Sequence, residues 1–313
     1  MNLSISNSKS ELFKFLKNFT LFSSILIVLN IAFILILKQI PQYSKYFSIT
    51  SPSDKVKVVL LSDSRGNVIK DRMLPDTVAN LSFGSDSYED LLSKMTYAVK
   101  SFPNLKSIII TVDEHCFLSY RAKYNNTDKS ILFADYEFYN KVKPTNALNF
   151  YMAKGVSQWL PLTSKKNITL VSKFLETIFS RQGSTEVNEK SKEWCEFSFE
   201  ERSKLEKERF DFQFNTLFDP AMANTFHSIY KIAKEQNIRV YGVKFPVTKG
   251  YKMLMQSKTF PEIEKVLAES KIPIIDYTSD QYPDCQFENQ DHLNSKGAEV
   301  LTPKLLSDPK LTH

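Results

Sequence analysis

The chain has 313 residues, of which 42% are hydrophobic, enough for one large domain with a sizeable core or two modest ones. Seven glycines against 24 phenylalanines and 14 tyrosines exclude collagenous and low-complexity architectures, and no internal repeat is visible. The net charge of +6 comes from basic residues interspersed with acidic ones, which suits a solvated surface, an anionic lipid or an acidic polymer and gives no pointer to nucleic acid.

In chain order, the first element is an uncharged apolar run from Asn18 to Leu37. Roughly 20 such residues at 1.5 Å rise cross a hydrocarbon core of about 30 Å. The run passes into Lys38-Gln-Ile-Pro-Gln-Tyr43 without a small-x-small cleavage site, so a signal anchor over residues 18–38 is expected rather than a cleaved leader. Lys9, Lys14 and Lys17 precede the span and Lys38 and Lys45 follow it, a weak charge bias. Residues 1–17 are expected to stay in the cytoplasm, leaving the bulk of the chain on the periplasmic or cell-surface side. Residues 39–55, with Pro41, Pro52 and several serines, read as a linker.

From residue 56 to 313 the pattern is that of an α/β domain. Val56–Leu61 is a strand that ends in Ser62-Asp-Ser-Arg-Gly66, and Val78–Leu81 is a second strand leading to Phe83-Gly84. Ser87 with Asp90 forms a capping pair ahead of apolar residues at helical spacing. Ser107–Val112 is a third strand, and its β-branched run predicts burial on both faces. Residues 116–218 break the rhythm, are rich in Phe, Tyr, Lys and Asn, and read as a large insertion ending in a charged helical run from Phe199 to Phe210. Alternation resumes at Asp219-Pro220, a helix cap with proline at the first position. A strand at Ile238–Val243, a helix over Pro261–Glu269, a strand at Ile272–Asp276 and a helix from Ser295 complete the pattern. Strands alternating with helices imply a parallel sheet covered on both faces.

Ligands of such sheets sit at the carboxyl ends of the strands. There the sequence places Ser64, Gly84, Asp113-Glu114-His115 and, beyond a loop, Asn289-Gln-Asp-His292-Leu-Asn294. A serine hydroxyl becomes a nucleophile when a histidine removes its proton, and a third polar group fixes the histidine tautomer. Ser64 as nucleophile with His292 as base is the expected pair, and backbone N–H groups at Ser64 and Gly84 can hold an oxyanion. Three cysteines, Cys116, Cys195 and Cys285, allow one disulfide without naming it. Neither they nor the four histidines have the spacing of a metal site, so no metal and no cofactor is expected.

Leu61-Ser-Asp-Ser-Arg65, Asn80-Leu-Ser-Phe-Gly84 and Asp291-His-Leu-Asn-Ser-Lys-Gly-Ala298 resemble three blocks of the SGNH/GDSL hydrolase superfamily, above all its membrane-anchored cell-envelope branch. That branch includes the alginate and cell-wall O-acetylation proteins and the teichoic-acid D-alanylation protein. The resemblance covers roughly residues 56–115 and 219–306 and implies a three-layer flavodoxin-like parallel sheet. It also implies a serine-dependent acyl transferase or esterase acting on an extracytoplasmic polysaccharide or other acyl acceptor, beside a polytopic membrane-bound O-acyltransferase. Three positions depart from the pattern. Ser62 replaces glycine. Thr111-Val-Asp113-Glu114 stands where Gly-x-Asn-Asp is usual, so the side-chain oxyanion donor is either missing or replaced by Asp113. Asn289 replaces the aspartate three residues before the histidine, so Asn289 or Asp291 is expected to orient His292. Two rival readings follow from the same residues. Asp63 faintly resembles the nucleophile of aspartyl-phosphate phosphatases, with Arg65 in place of their second aspartate. Asn289 and Asp113 also suit a non-catalytic envelope scaffold that keeps the fold.

Overall fold

The structure, a computed structural model, describes residues 5–40, 43–44, 52–183 and 192–308. Most of the expected linker, residues 41–42 and 45–51, lies outside the described residues. Among them the elements run α1 (Ile5–Gln39), β1 (Val58–Leu61), α2 (Ser64–Asn67), β2 (Val78–Asn80), α3 (Tyr88–Ser101) and β3 (Ser107–Thr111). Next come α4 (Tyr120–Lys123), α5 (Thr127–Ser130), α6 (Tyr136–Val142), α7 (Ala147–Trp159), α8 (Lys165–Gly183), α9 (Phe199–Phe214) and α10 (Pro220–Glu235). The chain closes with β4 (Arg239–Lys244), α11 (Lys249–Gln256), α12 (Pro261–Ser270), β5 (Ile274–Asp276), β6 (Phe287–Asn289), β7 (His292–Leu293) and α13 (Ser295–Leu306). Two compact units form: Met1–Ser48 with Tyr151–Val187, and Ile49–Phe150 with Asn188–His313.

The second unit is the expected α/β domain. Its sheet has the order β2-β1-β3-β4-β5, every pair parallel, which is the flavodoxin-like order with a switch point between β1 and β3. Strand side chains alternate between two cores because the strand period is two. Ile108 and Ile110 of β3 enter a core with Leu91, Met95, Phe226, Ile229 and Ile263 from α3, α10 and α12. Ile109 points the other way, with Leu60, Val243, Phe287 and Leu301. Each fully buried aliphatic side chain of this kind stabilises the fold by about 1.5–3 kcal/mol.

Local signals place the helices. The Asp90 carboxylate takes the Ser87 backbone N–H at 2.7 Å and its hydroxyl at 2.8 Å, closing the first turn of α3. Asp219 accepts the Ala221 N–H at 2.8 Å, with Pro220 opening α10. The stretch 116–218 is largely helical where described. Its flanks belong to the sheet unit, whereas Tyr151–Val187 groups with the N-terminal segment.

In the first unit, α1 carries Glu11–Gln39, long and apolar enough to cross a membrane by length and composition. One stripe of it is covered: Phe33 and Leu37 are buried with Ile40 and Tyr43, which follow the helix, and with Val171 of α8.

Candidate active site

At the end of β1 the chain turns sharply into α2, and the turn leaves no room for side chains. A Cβ on Gly66 would stand 2.5 Å from the Ser62 Cβ, so only glycine lets the first turn of α2 fold back on the strand. The Asn80 amide at the end of β2 braces the same turn, donating to the carbonyls of Gly66 at 2.9 Å and Ile69 at 2.7 Å. Asp63 caps it by accepting the Arg65 N–H at 3.0 Å. Ser64 is thereby presented half-buried at the carboxyl edge of the sheet, beside buried Asp63 and Arg65.

His292 reaches the same edge from the opposite end of the chain. Its Nε2 lies 2.6 Å from Ser64 Oγ. β6 and β7 form a tight antiparallel ribbon in which Asn289 pairs directly with His292, so their side chains share a face. Asn289 Oδ1 accepts the Asp291 backbone N–H at 3.2 Å, which fixes the orientation of the amide, and stands 2.8 Å from His292 Nδ1. An acceptor there demands the proton on Nδ1, and the Nε2 lone pair is left facing the serine hydroxyl. This is the tautomer a general base requires.

Asp291 adds charge rather than orientation. Its Oδ1 is 3.0 Å from His292 Nδ1, whose N–H is already directed at Asn289. Its Oδ2 accepts from the Gln213 amide at 2.9 Å and from the Arg209 Nε and Nη2 at 3.2 Å, both on α9, and lies 3.4 Å from Arg65 Nη2. Burial alone would raise its pKa, but His292, Arg65 and Arg209 outweigh burial and hold the carboxyl well below the usual range. The disulfide Cys195–Cys285 ties the start of this ribbon to the turn that precedes α9. Asn294 ties its end, donating to the carbonyls of Cys285 at 2.8 Å and Phe287 at 3.2 Å while capping α13 through the Gly297 N–H.

Beneath the pair lies a sealed layer of charges. Asp63 Oδ2 accepts from Arg121 and lies 2.8 Å from His115 Nε2; burial opposes ionisation, yet Arg121 and His115 keep the carboxyl ionised far below its ordinary range. Arg65 Nη1 is 2.8 Å from Asp113 Oδ1, linking the end of β3 to the ribbon through Asp291. Burial pushes Asp113 up to about 6 against the pull of Arg65. Burial and the nearby Arg65 guanidinium push His115 down to about 3, so it is neutral at ordinary pH. Asp63, His115 and Cys116 also bring potential ligand atoms within 4.8 Å of one another. The Arg121 guanidinium already occupies the Asp63 oxygen and opposes a second cation, and burial pushes the Cys116 thiol well up, so the group serves as a brace.

The structure therefore joins Ser64, His292, Asn289 and Asp291, and separates two of the expected residues from them. Gly84 stands in an exposed turn with its carbonyl accepting the Asn126 amide at 2.7 Å, and it does not line the cavity at Ser64. Asp113 is not an oxyanion donor: Oδ1 takes Arg65 and the Phe245 N–H, and Oδ2 takes the Thr111 hydroxyl at 2.9 Å. A carboxylate in that position only accepts. The aspartyl-phosphatase reading fails for the same kind of reason, since Asp63 is fully buried with both oxygens engaged. Arg209 and Gln213 reach Asp291 with no recognisable signal in the sequence; a charged helical run reads as a solvated face. A cavity of about 670 Å³ opens over Ser64 and His292 and is lined also by Asn67, Lys70, Arg209 and Glu288.

No family model and no curated protein matches the chain. Among solved structures it is similar to a candidate acylhydrolase from Bacteroides fragilis NCTC 9343, with 11% identity and a TM-score of 0.39 over 86% of this chain and 94% of that one. It is similar also to a GDSL-like lipase from Bacteroides thetaiotaomicron VPI-5482, with 8% identity and a TM-score of 0.38 over 86% and 96% of the two chains.

Proposed function

We propose that this chain is a membrane-anchored serine acyl-ester enzyme of the SGNH/GDSL kind that moves an acetyl group onto a hydroxyl of an extracytoplasmic polysaccharide. The observation that carries the reading is the Ser64 Oγ to His292 Nε2 contact of 2.6 Å, with Nδ1 of the same ring held by Asn289 at 2.8 Å. Both groups open on one cavity at the switch-point edge of the sheet, where such folds bind ligands.

The chemistry follows from that geometry. Ser64 Oγ attacks the acyl carbonyl as His292 Nε2 takes its proton. The imidazolium so formed keeps its Nδ1 proton on Asn289 and is stabilised by the Asp291 charge. The tetrahedral oxyanion is met by donors of the cavity wall, among them the Ser64 backbone N–H and the N–H groups of Arg209 that Asp291 does not take. His292 returns its proton to the departing group, leaving an acyl ester on Ser64. A sugar hydroxyl then loses its proton to His292 and attacks the ester; as it departs acylated, His292 passes that proton to the leaving Ser64 Oγ, which regenerates the serine and the neutral base. Water in place of the sugar gives an esterase with the same residues.

The apolar helix α1 supports anchoring, and a disulfide supports an oxidising compartment, as expected for a domain outside the cytoplasm. A polytopic membrane-bound O-acyltransferase is the proposed source of the acyl group. Incubation of the purified full chain with an activated acetyl donor and an envelope polysaccharide tests the reading. Acetyl esters on the glycan that disappear in Ser64→Ala are expected; release of free acetate alone would replace transfer by hydrolysis, and neither product would favour the scaffold.

A further inference from the structure

The end of α7 presents an apolar stripe that no described residue of its unit covers. Met152, Val156, Trp159 and Leu160 recur at helical spacing and are all exposed, Trp159 to 65%. A soluble helix turns such a stripe inward. Here the inward role belongs to other residues. Pro161 and Asn167 are buried at the turn between α7 and α8, and Val171 is buried with Phe33 and Leu37 of α1.

The position of this hairpin along α1 is fixed by Asn30. That residue interrupts the apolar run and is 5% exposed. Its amide N–H donates to the Trp159 carbonyl, and its Oδ1 accepts the Leu162 N–H at 3.4 Å. An asparagine inside a span costs free energy unless it is hydrogen-bonded, and irregular backbone is tolerated at membrane depth only where its own polar groups are satisfied. Each solves the other's problem. Two further carbonyls of the turn are also taken: Leu160 accepts from the Thr163 hydroxyl at 2.7 Å, and Pro161 from the Asn167 amide at 3.2 Å. Asn30 lies seven residues before Leu37, so at 1.5 Å per residue the turn sits roughly 10 Å inside the end of the apolar run.

We infer that the hairpin of α7 and α8 is a second membrane element, lying in the headgroup and upper acyl region of the leaflet at which α1 ends, with a lipid surface as the occupant of the exposed stripe. The inference rests on the reading of α1 as a membrane span. The composition fits: residues 151–178 carry Lys154, Lys165, Lys166 and Lys173 against Glu176 alone, and lysines beside tryptophan and aliphatic residues match anionic headgroups over acyl chains. On α1 itself, Ile27, Val28 and Ile31, within three residues of Asn30 in sequence, are more than half exposed.

The test is tryptophan fluorescence of the full chain in phosphatidylcholine–phosphatidylglycerol vesicles whose acyl chains carry bromine at shallow or deep positions. Trp194 is buried in the sheet unit and supplies a background that Trp159→Phe isolates. The emission of Trp159 is expected to be quenched, more by shallow than by deep bromine. A tryptophan placed in the span by Ile27→Trp on the Trp159→Phe background is expected to show the reverse order. Quenching at Ile27→Trp without quenching of Trp159 would overturn the hairpin's placement and leave the anchor intact, with a protein partner or a second copy covering the stripe. No quenching at either position would overturn both.

Discussion

Two consecutive residues, Asp63 and Ser64, each hold a histidine, and the two pairs behave in opposite ways. Asp63–His115 is sealed under the sheet edge with Arg121 and Arg65, and its imidazole is pushed down to about 3. Ser64–His292 opens on a cavity, and its imidazole is held by a neutral amide on one side and a buried carboxylate charge beside it. The lesson is that surroundings divide the labour between the two histidines. A histidine that cannot take a proton near neutrality serves as a donor that stiffens the turn carrying Ser64, and the one that faces a cavity keeps its Nε2 lone pair directed at the Ser64 hydroxyl.

Breaking the open pair should have the largest effect. Ser64→Ala or His292→Ala is expected to lower acyl transfer or hydrolysis by about 10⁴-fold or more, with the melting temperature nearly unchanged. The supports of His292 should then separate. Asn289→Ala, in a half-buried ribbon position, is expected to cost about 10²-fold in kcat with little loss of stability. Asp291→Asn leaves Arg65 and Arg209 short of a buried counter-charge and is expected to cost about 3–5 kcal/mol of stability as well, read by denaturant unfolding. Cys195→Ser frees the ribbon from α9, and loss of a cross-link closing a long loop should cost about 2–5 kcal/mol, with activity falling on mild heating before global unfolding.

The sealed pair should give the smallest effect, visible only in its pH dependence. The unfolded chain takes up a proton at the ordinary histidine value of 6.5, which native His115 refuses until about 3. The unfolded state therefore binds more protons between these values, and this residue's contribution to stability falls as pH drops through that window. His115→Gln keeps a donor for Asp63 and removes the titration. Its melting temperature should fall less steeply than that of the parent between pH 6.5 and 3, while turnover stays within a few-fold. A steeper or unchanged slope would show that the sealed pair does not titrate as described.

The elements that were legible in the sequence are those whose signals are local. The strand ending at Leu61, the Ser87–Asp90 cap and the Asp219-Pro220 start of α10 all stand within a residue or two of their expected places. The meeting of Ser64 with His292 was legible because each sits in a short motif whose neighbours shape its turn. What was hidden depends on contacts across many residues. Three cysteines allow three pairings, so Cys195–Cys285 could not be chosen beforehand. Arg209 and Gln213 reach Asp291 from a helix whose mixed charges look like a solvated surface, and the two-residue strand β7 is too short to carry a periodic signal. Asp113 was misassigned because its partner, Arg65, lies 48 positions earlier in sequence, on a different strand end.

The central claim is that a hydroxyl near the start of the sheet and an imidazole near the end of the chain act as one unit. Labelling of the purified full chain with a fluorophosphonate, followed by mass spectrometry of its peptides, tests this directly. The adduct should lie on Ser64 and should be lost in both Ser64→Ala and His292→Ala while folding is retained. An adduct elsewhere, or labelling of Ser64 that survives the loss of His292 undiminished, would contradict it.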